Sequence, residues 1–435
     1  MAKKNCGEGE IFVVVAPSRR RIAVSVVFFG FCLFPFVLSS SAHEPITTKV
    51  RFTKELVRVL QRSCLGCHHP GGIAFSLATY DEARPWAKAI KEEVLEKRMP
   101  PWHAVKGYGE FRNASVLTQR DVDLIVNWVE GGAPKGDDKD LPGGSLFSND
   151  WQLGKPDLTL KPGNESEVAA DADQHRTYAL TTGLKEDCWL KAIDVMPGNA
   201  AVVHCATVYL LNTSEGAQTS AVMMPIKNED SDGSMETLRN GTVLATWIPG
   251  QRVTAFDDDV AQLIPAGARL AVDIHYRGSG ERTRDLSAVG LYLAKQPPRK
   301  QVNQISIGDI NAPIPVTAQP QRVRLTFTAQ HDTEAIAILP VSHPLVSSLQ
   351  ATAYRPDGSQ EVLLWSVGYK WDWRPTYYFK RPVSLPKGTR VEVIAYIDNS
   401  DENQNNPNNP ARTVSWFEVS NQPLCTILTT VTPSR

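Results

Sequence analysis

Residues 202–211 read Val-Val-His-Cys-Ala-Thr-Val-Tyr-Leu-Leu, a short and nearly continuous apolar run rich in β-branched residues. Such a run, bounded by turn residues, is typical of a buried β-strand. Similar runs recur along the chain, separated by turn sequences such as Pro197-Gly198-Asn199. They are Cys188–Val195, Arg269–Tyr276, Ala288–Leu293, Val323–Thr328, Ala335–Leu339, Val362–Trp365 and Arg390–Ile397. This rhythm predicts a long antiparallel β-sandwich region that occupies most of the chain.

The part of the chain before residue 137 shows helical patterns instead. Three helices are predicted there, over Thr53–Leu60, Tyr80–Leu95 and Thr118–Val129. The third has Thr118 as a candidate N-cap with Asp121 three positions later, and Gly131-Gly132 ends it. Residues 136–144 are then rich in Gly, Asp, Lys and Pro, which predicts a linker.

The N-terminus has the pattern of an export signal. Arg19-Arg20-Arg21 precede the apolar run Ile22–Leu38, which ends in the small residues Ser39-Ser40-Ser41-Ala42. This order predicts a signal peptide over residues 1–42, with an uncleaved membrane tether through residues 22–38 as the alternative. Either form places the rest of the chain in a periplasmic or other extracytoplasmic compartment.

The charge of the chain is balanced, with 46 Lys plus Arg against 47 Asp plus Glu. A nucleic-acid partner held by phosphate electrostatics needs a basic excess, so no such partner is expected.

The most specific motif is Cys64-Leu65-Gly66-Cys67-His68. Two thiols separated by two residues can each add to a vinyl group of haem, and the adjacent imidazole can then bind the iron. A redox dithiol or half of a zinc site are the alternatives. A redox dithiol would be expected within a βαβ unit, and a zinc site would be expected beside another Cys or His pair. Neither pattern is present. The sequence therefore predicts haem c at Cys64 and Cys67 with His68 as an iron ligand.

Met99 is the predicted second axial ligand. It follows the second predicted helix, and Pro100-Pro101 restrict the loop that holds its thioether. A packing role for Met99 is the alternative, and His69 and His103 are rival ligands. The stretch Arg98–Trp102 and the closing segment Asn127–Pro134 resemble the distal loop and last helix of small class I c-type cytochromes. That resemblance covers residues 43–137 and implies a small helical cytochrome c domain that exchanges one electron with a redox partner protein or a small electron donor.

The rest of the chain resembles the copper type II, ascorbate-dependent monooxygenases, the family of peptidylglycine α-hydroxylating monooxygenase and dopamine β-monooxygenase. The resemblance is carried by Val195–Asn199, Val202–Cys205, Trp247–Gly250, Leu270–Tyr276, Val289–Tyr292, Pro386–Thr389 and Asp398–Ser400. In that family two sandwich domains each hold one copper. The resemblance places His204, Cys205 and His275 at the electron-transfer copper, with Cys205 where the family has a second histidine. Two imidazoles and a thiolate can hold copper. However, successive residues of a strand face opposite sides of the sheet, so His204 and Cys205 could both bind the metal only if the strand were distorted. Burial of Cys205 as a small residue, or a disulfide to Cys188, are the alternatives.

The catalytic copper of the family has only one counterpart ligand in this chain. Val341 and Leu424 stand where the family has His and Met, which leaves His343 alone. One imidazole cannot hold a copper in a defined geometry, so loss of hydroxylation activity is expected.

The predicted architecture is multidomain α plus all-β: a small helical cytochrome c domain followed by two antiparallel, jelly-roll-like β-sandwiches. The predicted bounds are 1–42 for the signal or anchor, 43–137 for the haem domain, 138–150 for a linker, and 151–298 and 299–435 for the sandwiches. The predicted function is electron transfer by an exported haem c protein. The alternatives are an active copper-dependent monooxygenase fed by its own haem, and a non-catalytic binding protein with a structural haem.

Overall fold

The computed structural model describes residues 47–144, 147–148, 150–211, 241–308, 313–340, 343–368, 373, 375–415 and 425–431. All of them belong to one compact unit, Pro45–Arg435. The predicted signal or anchor at residues 1–42 lies outside the described residues. None of the described helices has the length and apolar character that a bilayer crossing requires.

The described helices are short and lie before residue 141. They are a π-helical turn at Phe52–Leu56, α1 (Val57–Ser63), α2 (Tyr80–Ala83), a 3₁₀ turn at Arg84–Trp86, α3 (Ala87–Leu95), α4 (Gln119–Glu130) and a 3₁₀ turn at Asp138–Asp140. Pro85 falls in the 3₁₀ turn, where the predicted second helix is interrupted. Thr118 and Asp121 form a capping box at the start of α4, which confirms the predicted N-cap.

The helical segment has its own apolar cluster around the fully buried Trp128. Phe52, Leu60 and Ile125 pack in the same cluster, and the indole N–H of Trp128 donates to the Pro134 carbonyl at 3.0 Å. Each such side chain contributes about 1.5–3 kcal/mol on burial. This cluster fixes the loop that follows α1 and therefore the position of Cys64.

Strands form most of the remaining structure. The described residues contain β1 (Leu158–Leu160), β2 (Ser166–Val168), β3 (Asp173–Thr181), β4 (Cys188–Met196), β5 (Val203–Leu211), β6 (Thr242–Trp247), β7 (Val260–Ile264), β8 (Arg269–Arg277), β9 (Thr283–Asp285), β10 (Ala288–Leu293), β11 (Lys300–Ile307), β12 (Gln321–Thr328), β13 (Thr333–Pro340), β14 (Val346–Tyr354), β15 (Gln360–Val367), β16 (Tyr377–Leu385), β17 (Arg390–Ile397) and β18 (Cys425–Val431).

These strands form four sheets. One has the order β1-β10-β4-β7-β11-β18-β13-β16, two have four strands each, β3-β8-β5-β6 and β12-β17-β14-β15, and the pair β2-β9 forms the fourth. The parallel pairing of β7 with β11, at Val260 and Ala261, joins the two halves of the eight-stranded sheet.

Two sandwich cores lie against this long sheet. The first core joins residues of β4 and β10, such as Val195 and Leu291, to Val208 and Val272 of the β3-β8-β5-β6 sheet. The second joins Ile338 and Ile427 to the β12-β17-β14-β15 sheet. The β-sandwich part of the predicted fold is thereby confirmed.

The predicted separate helical cytochrome c domain is wrong. Over the residues that the structure describes, the protein is mainly β with four sheets, and the longest helix there has 12 residues. Residues 102–113, which were assigned to the helical domain, add to the second sandwich instead. Phe111 lies in that sandwich core and bridges to Phe379, and the Arg112 N–H donates to the Tyr378 carbonyl at 2.9 Å. The sequence of this loop does not predict the arrangement, because its partners in the second sandwich lie more than 250 residues further along the chain. The finer domain bounds at 137/138, 150/151 and 298/299 stay a prediction.

Replacing Phe111 by Ala tests this arrangement. The side chain is 6% exposed within the second sandwich core, so its removal should lower the free energy of unfolding by about 3–5 kcal/mol. Urea unfolding followed by tryptophan fluorescence measures the change. Val116→Ala, at a side chain that is 57% exposed, is the control and should change stability little. A Phe111→Ala variant as stable as the control would contradict the packing described.

Candidate haem-attachment loop and His–Cys cluster

The Cys64–His68 loop forms a tight turn at the end of α1. Cys64 is the C-cap of the helix, and its carbonyl accepts hydrogen bonds from the N–H groups of Cys67 at 3.1 Å and His68 at 3.0 Å. Leu65 points into the helical cluster and is 1% exposed. The two thiols therefore come from one fixed turn, and they are not joined by a disulfide.

The imidazole of His68 is oriented by the backbone. Its Nδ1 lies 3.0 Å from the carbonyl oxygen of Phe75. A carbonyl can only accept, so Nδ1 carries the proton and Nε2 keeps its lone pair. Burial lowers the pKa of His68 from its ordinary value, against the opposing effect of this hydrogen bond. The ring is thus held neutral with one nitrogen ready to bind a metal, which is the usual arrangement of a histidine ligand.

The environment of the two thiols does not suit a redox dithiol. Burial raises the pKa of Cys64 and Cys67 to about 12, and their mutual interaction adds to this at Cys64. Catalytic dithiols depend on a lowered thiol pKa, because the thiolate is the reactive form.

An exposed aromatic patch adjoins the loop. Phe75 is 47% exposed and Trp86 44% exposed, and their rings stack with centroids 4.2 Å apart. The Phe75 ring also meets the ring of His68 edge-on, with centroids 4.9 Å apart. Large exposed aromatic side chains beside a candidate iron ligand form the kind of surface that a flat apolar group would cover.

The candidate sixth ligands occupy different surroundings. Met99 lies just beyond α3 and is 37% exposed, so its thioether is accessible. His69 is buried, stacks on Phe147 and has Nδ1 3.0 Å from the Pro70 carbonyl. The backbone of His103 belongs to the second sandwich, where its carbonyl accepts from the Val367 N–H. Met99 as a ligand stays a prediction.

A second group of candidate ligands lies on strands β5 and β8. One ligand atom from each of His204, Cys205 and His275 lies within 4.8 Å of the others, and all three residues are buried. Among the described residues this is the one group of three or more His, Cys, Asp or Glu side chains at metal-ligand spacing.

A β-bulge brings the three residues together. The β5–β8 register shifts between Val203 and Cys205, and Cys205 then pairs directly with His275. A bulge lets two successive residues of one strand oppose one residue of the partner strand. The strand distortion that would let His204 and Cys205 face the same metal is therefore present at His204.

Polar residues of β3 and β8 surround the cluster. His275 Nε2 lies 2.6 Å from Asp173, and the ring of His175 stacks on that of His275 with centroids 4.4 Å apart. His175 Nδ1 in turn lies 2.9 Å from Asp273. Since a carboxylate accepts, Nε2 of His275 is a donor, and its Nδ1 is the candidate ligand atom. Arg277 donates to Nε2 of His204 at 3.0 Å, so that nitrogen accepts.

These surrounding residues were not recognised from the sequence. The pattern that marks them is the period-two alternation of polar residues on two strands: Asp173, His175 and Thr177 on β3, and Asp273, His275 and Arg277 on β8. Alternate residues of a strand share one face, and His175 pairs directly with His275.

The other predicted ligand, His343, does not join a described cluster. Its side chain is buried, and Nδ1 accepts from the Leu345 N–H at 3.1 Å. Val341 and Leu424 lie outside the described residues. Cys425 is buried and pairs with Pro340 across β13 and β18. No disulfide joins Cys188 to Cys205, so that alternative is not formed.

Comparison with known proteins gives no family for this chain. No family model and no curated protein matches it. Solved structures with partial similarity include the VP2 subviral particle of infectious bursal disease virus, at 11% identity over 66% of this chain and 74% of that chain with a TM-score of 0.19. The A223 turret protein of Sulfolobus turreted icosahedral virus matches at 10% identity over 62% of this chain and 97% of that chain, with a TM-score of 0.16. Allantoicase matches at 8% identity over 56% of this chain and 79% of that chain, also with a TM-score of 0.16. These TM-scores are too low to support a fold or a function.

The buried His275 predicts a specific pH dependence of stability in the metal-free protein. Burial, with repulsion from His175 as a second cause, lowers its pKa from 6.5 to about 4. Between these values the unfolded chain binds a proton that the folded chain does not, so stability falls as the pH drops from 6.5 towards 4. In His275→Gln this part of the decline should disappear.

Urea unfolding at a series of pH values measures the difference between the two curves. His331→Gln, at an exposed loop histidine, is the matched control. A His275→Gln curve with the same slope as the wild type would show that His275 does not titrate in this way.

Proposed function

We propose that this chain is an exported electron-transfer protein that carries one haem bound covalently to Cys64 and Cys67. The observation that supports this most strongly is the combination of the Cys-Leu-Gly-Cys-His motif with the hydrogen bond of His68 to Phe75. The motif provides two thioether positions, and the hydrogen bond leaves Nε2 of His68 as the iron ligand.

The residues around the motif fit a haem. The two thiols come from one rigid turn, the imidazole is neutral, and Phe75 and Trp86 present an apolar surface beside it. When bound, the haem would supply a one-electron couple. His68 would bind the iron through Nε2, and the thioether of Met99 would be a second protein ligand that favours the reduced state.

Export is proposed from the leader, whose Arg-rich start, apolar run 22–38 and small-residue end match a secretory signal. Covalent haem attachment suits a compartment outside the cytoplasm, where the redox partner would be another protein or a small electron donor. The β region would then act as the module that binds this partner.

Hydroxylation of an organic substrate has less support. Of the residues placed at the family's oxygen-activating copper, only His343 is both described and a ligand type, and its Nδ1 already accepts a backbone hydrogen bond. Redox titration distinguishes an electron-transfer haem from a purely structural one, because a purely structural haem need not exchange electrons reversibly.

Haem attachment is tested by expression with a cytochrome c maturation system. The mature wild-type protein should be red, should keep its haem after denaturation, and should gain the mass of one haem. The double variant Cys64→Ser/Cys67→Ser should lose covalent haem, because both thioether positions are removed.

Cys188→Ser is the matched control, since Cys188 lies in strand β4 outside the motif. It should retain a full complement of haem. A colourless wild-type protein, or a double variant that still holds haem covalently, would refute the proposed attachment.

Replacing Met99 by Ala tests whether its thioether binds the iron. The haem should stay attached, but its reduction potential should fall, because loss of the thioether destabilises the ferrous state relative to the ferric state. Potentiometric titration of the visible spectrum measures the shift. Met196→Ala, in strand β4, is the control, and equal potentials for Met99→Ala and this control would exclude Met99 as the ligand.

A further inference from the structure

We propose that the solvent-facing side of the β12-β17-β14-β15 sheet binds an acidic polysaccharide, a chain of sugar rings that carry carboxylate groups. This binding is separate from electron transfer. The residues that carry it lie on the second sandwich and its covering segment 102–113, outside the haem loop and the His–Cys cluster.

The four-stranded sheet has one side in the apolar core and one side towards solvent. On β12, Val323, Leu325 and Phe327 pack against core clusters, whereas the alternating Arg322 and Arg324 are exposed. Successive residues of a strand face opposite sides, so the residues paired with these two arginines lie on the solvent side as well. We call this solvent side the outer face.

Strand pairing arranges the outer face in rows that cross all four strands. One row consists of Arg322, Tyr396, Ser348 and Val367. The next row consists of Arg324, Ile394, Gln350 and Trp365. Neighbouring strands lie about 4.8 Å apart, so each row spans about 14 Å, which is long enough to contact more than one sugar ring of an extended chain.

Large side chains on the outer face are open to solvent. Tyr396 is 41% exposed and Val367 48% exposed, and they lie in the same row on either side of Ser348. Exposed aromatic and apolar groups among polar residues are typical of a binding surface. A face that only had to meet water would not need them.

The segment 102–113 adds an aromatic wall at the β15 end of the outer face. The Val105 N–H donates to the Trp365 carbonyl at 2.8 Å, which places this segment along the edge of β15. The exposed ring of Tyr108 then meets the Trp365 ring edge-on, with centroids 4.9 Å apart. The apolar side of a sugar ring packs well on an aromatic ring, so this pair and Tyr396 provide two places for sugars.

The outer face carries an excess of positive charge in a fixed arrangement. The buried carboxylate of Glu392 accepts from Arg324 Nε at 2.7 Å and from Arg390 Nη1 at 2.7 Å, and the Arg390 guanidinium also lies over the Tyr354 ring. A guanidinium has five N–H groups, so both arginines keep donors for a ligand. With Arg322, three guanidiniums oppose one carboxylate, which leaves two positive charges. Arginine matches carboxylate geometry, so charge complementarity favours an anionic ligand with carboxylate groups.

The polar side chains between the arginines and the aromatic wall favour a sugar chain over other anions. Ser348, Gln350 and Thr352 of β14 carry hydroxyl and amide groups, which donate and accept hydrogen bonds as sugar hydroxyls do, and Gln350 Nε2 donates to Thr352 Oγ1 at 3.1 Å. Nucleic-acid phosphates only accept. An acidic peptide strand would pair with a sheet edge rather than lie across a sheet face.

Calorimetric titration of the whole mature chain with oligogalacturonate tests the proposal. We expect saturable binding that weakens as NaCl is added, because salt screens the attraction between the arginines and the sugar carboxylates. A neutral cello-oligosaccharide, poly-glutamate and single-stranded DNA are the comparison ligands, and each should bind more weakly than oligogalacturonate.

Two exposed side chains of the outer face are suited to substitution, since neither is part of the core. Arg322→Gln should weaken oligogalacturonate binding about fivefold through loss of one ion pair. Tyr396→Ala should weaken it about tenfold through loss of the aromatic contact. The matched controls are Arg120→Gln, at an exposed residue of α4, and Leu153→Ala, at a side chain that is 44% exposed before β1. Both controls should bind as the wild type does.

Each contrary result overturns a stated part of the proposal. A chain that does not bind oligogalacturonate has no such site. Equal affinity for the neutral oligosaccharide contradicts the role of the arginines, and tighter binding of poly-glutamate or DNA contradicts a sugar ligand. Wild-type affinity in both Arg322→Gln and Tyr396→Ala would place the binding elsewhere on the chain. Since none of these titrations measures haem, their failure leaves the proposed electron transfer intact, and a protein without haem leaves the polysaccharide test unchanged.

Discussion

The close approach of Gly66 to Gly250 is the contact on which the functional account depends most. It brings the turn that carries Cys67 against the end of strand β6, and no side chain larger than hydrogen fits at position 66 without displacing the backbone. Because α1 and the Trp128 cluster fix the same turn from the other side, the loop is held between helix and sheet. His68 follows directly, so the direction of its ring is set by these two supports and by the Phe75 carbonyl.

Local sequence patterns predicted the strands well and the assembly of the chain poorly. Ala288–Leu293 and Arg390–Ile397 are observed at the predicted bounds, and the run that begins at Val202 is strand β5. Each of these strands is a short run of apolar residues between turns, a signal that needs no distant partner. The parallel pairing of β7 with β11 joins Val260 and Ala261 to Lys300 and Gln301, and nothing in the sequence of these residues distinguishes a parallel partner from an antiparallel one.

In the helical part, too, local features were predicted and distant contacts were not. The capping box of Thr118 and Asp121 was predicted because its signal lies within four residues. The placement of Phe111 in the second sandwich was not, since its partners Tyr377 and Phe379 lie far along the chain. The expectation of a separate helical domain failed for this reason: local propensity describes a helix but does not say what the loop between two helices will cover.

At the candidate sites, the sequence predicted candidate ligands but not the residues that surround them. Cys64, Cys67 and His68 follow from one contiguous motif, and the group of His204, Cys205 and His275 was named from a resemblance. The supporting Asp173 and Arg277 depend on cross-strand register, which the sequence alone did not provide. These residues orient the imidazoles, so the chemistry expected at the cluster became specific only with the structure.

The most direct measurement of the central claim is mass spectrometry of the proteolytic peptide that contains Cys64 and Cys67, taken from protein matured with the haem-attachment machinery. The account predicts one haem on that peptide, with neither cysteine available to an alkylating reagent. A peptide of unmodified mass with both thiols alkylated would contradict it.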